Sequence, residues 1–213
     1  MTFLDFHKLQ EQQPGHIATD KNQGHNYIES YYSEKFTPLK DEPIKLLEIG
    51  TYRFGSLILF RDWFTSGRIV GIDANPLVYD PSVKDFVYIS QTSKYLEYFD
   101  KSNYSSTIVK DCDFYMLDAY CQETLDRFED NSFDFIIDDG SHTLEHQEYA
   151  IKNWLKKVKP GGTLLIEDVH PLKNCTYFDS FIHEEECTKT TIDLRELRRN
   201  LNVDTILYEI KKQ

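Results

Sequence analysis

The chain has 213 residues, 40% hydrophobic and 28% charged, the profile of a soluble folded protein with a sizeable core. Its formal net charge of −12 repels a phosphate backbone and argues against general nucleic-acid binding. No apolar run approaches the ~18 residues of a membrane-spanning helix, residues 1–7 have neither a basic nor an apolar signal region, and Cys112, Cys121, Cys175 and Cys187 form no C-x-x-C pair, so a cytoplasmic protein with free thiols and no membrane partner is expected.

Residues 1–40 are polar and aromatic. Thr19 to His25 reads as a loop, and Asn26 is placed to cap a helix reaching about Phe36, with Tyr27, Ile28, Tyr31 and Tyr32 at helical spacing. Alternation follows. Ile44 to Gly50 is a strand ending in glycine, Gly55 to about Thr65 a helix, and Arg68 to Asp73 a strand ending in an acid. Residues 75–110 form a long insertion containing Tyr79, Tyr88, Tyr95, Tyr98 and Tyr104, with a short helix expected at Ser93 to Phe99; it reads equally as a binding loop or a surface elaboration. Its aromatic residues are compatible with a homodimer. Phe114 to Asp118 is a third strand, followed by a helix from Gln122 to about Phe128. Phe133 to Ile137 is a fourth strand. The helix from Leu144 to about Val158 carries Lys152, Lys156 and Lys157 on a solvated face and is closed by Lys159-Pro160-Gly161-Gly162. Thr163 to Asp168 is a fifth strand, and Thr190–Leu194 and Thr205–Ile210 can pair as an antiparallel edge. Strands alternating with helices imply one α/β domain around a mostly parallel sheet, with helices on both faces.

In such sheets ligands bind beyond the carboxyl ends of the strands. Glu48-Ile49-Gly50 followed by Gly55 makes a glycine-bearing turn against a helix N-terminus. Asp73 lies 23 positions after Gly50, near the offset of about 20 at which an acid meets a ribose diol. The middle glycine of a dinucleotide fingerprint is absent, and Tyr52 and Arg53 would crowd a pyrophosphate. A nucleoside without pyrophosphate, such as S-adenosylmethionine, fits better. Asp118 reads as an adenine contact or a helix cap. Asp138, Asp139, Glu167 and Asp168 put four carboxylates on two neighbouring strand ends, which calls for a counter-charge such as a hard divalent cation. His142, three residues past Asp139, reads as a proton acceptor beside that cation. His146 reads as a supporting residue, and His170 as an undecided neighbour of the cavity.

These stretches carry a resemblance: Thr19-Asp20-Lys21 with His25 and Tyr27, Pro38 to Gly50, Gly55-Ser56-Leu57, Gly67 to Asp73, Asp138 to His142 with Glu145-His146, and Pro160 to Asp168. The chain resembles class I S-adenosylmethionine-dependent methyltransferases, and among them the magnesium-dependent macrolide sugar O-methyltransferases of the macrocin and mycinamicin type and the related cephalosporin hydroxylase family. The resemblance implies a Rossmann-like methyltransferase fold with a central seven-stranded, mostly parallel sheet and an antiparallel edge strand. It implies Asp139, Glu167 and Asp168 as ligands of Mg2+ or another divalent cation and His142 as general base. Glu48, Gly50, Asp73 and Asp118 would line the S-adenosyl-L-methionine site, with Ser56 beside them, and Thr19, Lys21 and Tyr27 would close over cofactor or substrate. Asp138 would touch the methionine end of the cofactor, the cation or only the turn. The implied acceptor is a hydroxyl of a sugar or other glycosylated small molecule. A catechol-like diol, or a non-catalytic cofactor-binding protein on the same fold, is the alternative.

Overall fold

Short runs of β-branched and aromatic residues form the strands, and glycine or acidic turns end them. The structure, a computed structural model, describes residues 1–13, 18–80, 85–88, 112–197 and 205–213. Its strands are β1 (Lys45–Ile49), β2 (Arg68–Ile72), β3 (Leu77–Asp80), β4 (Asp85–Tyr88), β5 (Cys112–Tyr115), β6 (Phe133–Asp138), β7 (Val158–Ile166), β8 (Cys187–Asp193) and β9 (Ile206–Lys212). Seven of them form one sheet in the order β5-β2-β1-β6-β7-β9-β8. The strands from β5 to β7 run parallel, and β9 enters antiparallel to both neighbours. The fold is therefore the Rossmann-like methyltransferase architecture expected, with the antiparallel strand one place in from the edge.

Strand side chains alternate in direction, so each strand feeds both faces. Leu46, Ile69, Ile137, Leu165 and Leu207 face one core. That core is closed by α1 (Phe3–Gln10), a π-helical turn over Ile28–Tyr32, α2 (Ser33–Phe36) and α3 (Gly55–Trp63), whose Phe3, Tyr32, Phe36, Phe60 and Trp63 bury their rings together. Leu47, Val70, Ile136, Leu164 and Ile166 face the other core, against Ala150 and Ile151 of a helix at Leu144–Asn153 and Phe178 of one at Lys173–Asp179. The aromatic N-terminal segment is thus a full layer of the protein.

Local chemistry moved several expected boundaries. Asn26 does not cap a helix: its φ is 64°, its side chain donates to Ser30 Oγ at 3.0 Å, and the chain enters through the π turn. Pro160-Gly161-Gly162 does not end a helix. It lies inside β7, where the partners of Phe133 and Phe135 jump from Val158 to Thr163, a bulge that takes up the extra residues. The preceding helix ends at Asn153 and continues as a 3-10 turn to Lys157. The helix after β5 is only Gln122–Leu125. In the insertion, β3 and β4 pair antiparallel as a separate two-stranded sheet, while the helix expected at 93–99 lies outside the described residues. Among the described residues, no helix is long and apolar enough to cross a membrane.

Candidate active site

The carboxyl ends of β1, β6 and β7 are drawn together by backbone. Asp139 N–H donates to the Ile49 carbonyl at 2.9 Å, and Glu167 N–H to the Asp138 carbonyl at 2.9 Å. Gly50, at φ 83°, sits so close to the next strand end that a Cβ there would lie 2.0 Å from the Asp139 carbonyl oxygen. Around this point the backbone is strained. Among the described residues, Asn26, Tyr52, Phe54, His142 and Asp168 all hold left-handed φ values between 44° and 66°, and the one other such residue, Asn131, precedes β6. Each such non-glycine position costs ~1–3 kcal/mol, and strain of this kind gathers at functional sites.

Alternation decides where the acids go. Glu48 and Glu167 point to the face carrying the N-terminal segment. There Lys21, from the short helix Asp20–Gln23, donates to Asp139 Oδ2 at 2.6 Å and Glu167 Oε2 at 2.9 Å, and pairs with Glu48 Oε1 at 3.3 Å. Tyr32 donates to the other Glu167 oxygen. Both oxygens of Glu167, a residue expected as a metal ligand and 1% exposed, therefore accept hydrogen bonds from protein donors. Asp138 points to the opposite face, where Tyr120 donates to its Oδ1 at 2.6 Å. Asp168 takes a hydrogen bond from Tyr27 on Oδ1, with His25 Nδ1 at 3.2 Å from the same oxygen. The outer oxygens, Asp139 Oδ1 and Asp168 Oδ2, each lie 3.9 Å from His142 Nε2. Asp139, His142 and Asp168 offer donor atoms within 4.8 Å of one another, and the two carboxylates among them are hard oxygen donors that fit one divalent cation.

The electrostatics agree. Burial pushes Glu48 and Asp138 each up to about 7, in Asp138 against the pull of the Tyr120 hydrogen bond. Burial also raises Asp139, although Lys21 opposes it, and burial with the nearby Asp139 charge raises Glu167 well above the carboxylate range. Burial alone would lower Lys21, but Asp139, Glu167 and Glu48 hold it well above an ordinary lysine. Asp168 is buried too, yet His25, His142 and Tyr27 bring it below the usual value. One ammonium thus leaves the cluster short of positive charge, the condition under which a cation binds.

Two adjoining cavities of about 260 and 360 Å3 open beside this cluster. The first is lined by Thr19, Gly50, Ser56, Asp73, Asp139 and His142, among others. The second has Ile49, Ile72, Leu117 and Ala119 as apolar walls and Asp73, Asp118 and His146 as polar ones. Both oxygens of Asp73 already accept backbone N–H groups, from Thr51 at 2.9 Å, Tyr52 at 3.0 Å and Asn75 at 2.8 Å, so it shapes the glycine turn as well as lining the cavities. Asp118 accepts Tyr120 N–H at 2.9 Å. Lys21, Tyr27 and Glu48, expected at the cofactor, lie behind the first cavity among the acids, because strand alternation and the N-terminal wall turn them there. His146 stacks on Tyr120 with ring centroids 4.0 Å apart and bonds Ser141 Oγ at 2.6 Å; His170 is exposed and lines neither cavity. The sequence reading gave no role to Tyr32, Tyr120 or Gln147, whose Nε2 donates to the Glu167 carbonyl at 3.0 Å. Their signal was weak: Tyr32 meets Glu167 across 135 positions, and Tyr120 and Gln147 reach Asp138 and the Glu167 carbonyl from 18 and 20 positions away, outside any one motif.

Residues 47–169 match a family described as a methyltransferase domain. The chain is 27% identical over 159 residues to the 8-demethyl-8-(2-methoxy-alpha-L-rhamnosyl)-tetracenomycin-C 3'-O-methyltransferase of Streptomyces olivaceus, covering 71% of this chain and 34% of that one. It is 25% identical over 181 residues to the mycinamicin VI 2''-O-methyltransferase of Micromonospora griseorubida, covering 79% and 38%. It spans about a third of the length of these curated relatives. The solved MycE methyltransferase from the mycinamycin biosynthetic pathway, in complex with Mg, SAH and mycinamycin VI, shares the fold at a TM-score of 0.58 and 18% identity, over 100% of this chain and 54% of that one.

Proposed function

The chain belongs to the methyltransferase-domain family, and we propose that it is an S-adenosylmethionine-dependent O-methyltransferase that uses a divalent cation and methylates a hydroxyl of a sugar or glycosylated small molecule. The observation that carries this reading is the Asp139–His142–Asp168 cluster at the mouth of the paired cavities, beside the Gly50 turn. The named activities of the relatives, both O-methyltransferases and one of them named for a rhamnosyl tetracenomycin C, support the acceptor class.

The residues divide the work. The apolar walls Ile49, Ile72, Leu117 and Ala119 suit a flat base, and Asp118 and Asp73 supply acceptors for its amino and ribose groups. Gly50, Thr51 and Ser56 border the first cavity, where the methionine end would lie. S-adenosylmethionine supplies an electrophilic methyl on sulfur. Asp139 and Asp168 would hold the cation, which would make a neighbouring hydroxyl more acidic. His142 Nε2, on a side chain 38% exposed, accepts the hydroxyl proton. Bound S-adenosylmethionine would supply the methyl that the hydroxyl oxygen takes, with S-adenosylhomocysteine as the leaving group. Holding the partners in line and neutralising charge account for most of such a barrier reduction.

A methyl-transfer assay against rhamnosylated and other glycosylated acceptors, free sugars and catechols tests the reading. Transfer to glycosylated acceptors should stop with EDTA and return with Mg2+. Transfer indifferent to EDTA would overturn the cation role. A melting temperature raised by NAD and unmoved by S-adenosylmethionine would overturn the cofactor.

A further inference from the structure

We propose that Arg53 recognises the carboxylate at the methionine end of the cofactor and makes the first cavity selective for a nucleoside that carries an amino acid. This rests on the S-adenosylmethionine reading given above and concerns one contact that sets its affinity.

The loop between β1 and α3 presents this side chain. Phe54 N–H donates to the Thr51 carbonyl at 2.6 Å and closes a four-residue turn with Arg53 at its third position. Tyr52 and Phe54, on either side, hold left-handed φ values of 44° and 66°, so successive side chains splay apart. Tyr52 is 47% exposed, and Phe54 is buried edge-on against Phe114. Arg53, half-buried, lines the first cavity between them. The turn is also held from outside. Asp73 accepts the N–H groups of Thr51 and Tyr52, and the Tyr52 carbonyl accepts Leu77 N–H at 2.9 Å. The guanidinium lies 5.0 Å from the centre of the Tyr52 ring, a cation–π contact that limits its swing.

Charge complementarity names the group it meets. The methionine end of S-adenosylmethionine carries an ammonium and a carboxylate on one carbon. For the ammonium the cavity offers Asp20 and Asp139. For the carboxylate, Arg53 is the one lysine or arginine among the described residues that line it. Lys21 does not replace it, being 1% exposed and held by Asp139, Glu167 and Glu48. Helix α3 starts directly after the turn with no side-chain cap on Phe54, and Gly55 and Ser56 line the same cavity, so the positive helix end adds to the attraction. A guanidinium can hold a carboxylate through two parallel N–H···O bonds. The side chain that would crowd a pyrophosphate therefore suits a smaller anion.

Calorimetry with S-adenosylmethionine, its decarboxylated analogue and 5'-methylthioadenosine tests this without turnover. Wild type should bind S-adenosylmethionine about tenfold or more tightly than the decarboxylated form. In Arg53→Met that preference should fall to within about threefold of parity, while 5'-methylthioadenosine, which has neither charged group, should bind within about threefold of wild type. Arg53→Lys, which keeps the charge and loses the fork, should keep only part of the preference. No preference in wild type, the full preference surviving in Arg53→Met, or equal losses for all three ligands would overturn the role of Arg53. If Arg53→Met does not fold, Arg53→Lys decides, and a preference equal to that of wild type overturns the role. Failure of wild type to bind S-adenosylmethionine and 5'-methylthioadenosine alike would overturn the cofactor reading itself, and the role of Arg53 with it.

Discussion

The two mouths of the sheet differ in how their polar groups are satisfied. On the side of β1, β6 and β7, carboxylates outnumber cations and the N-terminal wall answers them with Lys21, His25, Tyr27 and Tyr32. On the side of β1, β2 and β5, apolar residues form the walls, and Asp73 and Asp118 are tied to backbone N–H groups of their own turns. The first mouth is built to hold charge and change it. The second is built to hold a shape. Gly50 stands on the boundary and lines both cavities.

Substitutions that strike one mouth alone sharpen that contrast. Asp139→Ala should have the largest effect, removing the residue shared by Lys21 and the outer cluster. Methyl transfer should fall by roughly 10³-fold or more, with S-adenosylhomocysteine affinity changed by less than about tenfold by calorimetry. Equal losses in both would show that the mouths are not separate. His142→Ala should lower kcat by ~10²–10⁴-fold at neutral pH and leave cofactor affinity unchanged. Wild-type turnover would remove it as the base. Gly50→Ala breaks the boundary itself: the new Cβ collides with the Asp139 carbonyl, so stability should drop by roughly 2–4 kcal/mol in urea titration, and cation and cofactor binding should weaken together.

The smallest effect concerns pH. Glu48 has its pKa raised from 4.5 to about 7 by burial, so the folded protein holds that proton more tightly than the unfolded chain. Its contribution to stability is complete below about 4.5 and is lost as pH rises through about 7. Glu48→Gln should flatten that part of the curve of melting temperature against pH. A curve unchanged from wild type would show that Glu48 does not titrate there.

The sheet was legible in the sequence because its strands are short apolar runs with marked ends, as at Leu46–Ile49 and Phe135–Ile137. The site was legible as a neighbourhood: Asp139, His142 and Asp168 do meet. The directions of the side chains were harder to read. Asp138 and Asp139 are adjacent letters, as are Glu167 and Asp168, but members of each pair go to different partners. A one-residue step at a strand end reverses the face, and the left-handed turn at Asp168 redirects it again. The acids called for a counter-charge, and one positive group that answers them is Lys21, separated from Asp139 by 118 positions, a distance that spacing within a motif does not encode. Pro160-Gly161-Gly162 misled for a related reason: a turn-like composition was absorbed as a bulge because β6 offered a partner on both sides of it.

The strand β9 adds a matter of timing. It lies against β7, the strand that leads into Glu167 and Asp168, and its Glu209 accepts hydrogen bonds from Tyr31 and Lys35 of the N-terminal wall. A ribosome delivers Lys21 and Tyr32 long before it delivers Glu209. Glu209 therefore becomes available to the wall only once β9, which lies in the sheet between β7 and β8, has been made. The wall that answers the acids precedes them in the chain, and it is secured by Glu209, 178 positions after Tyr31.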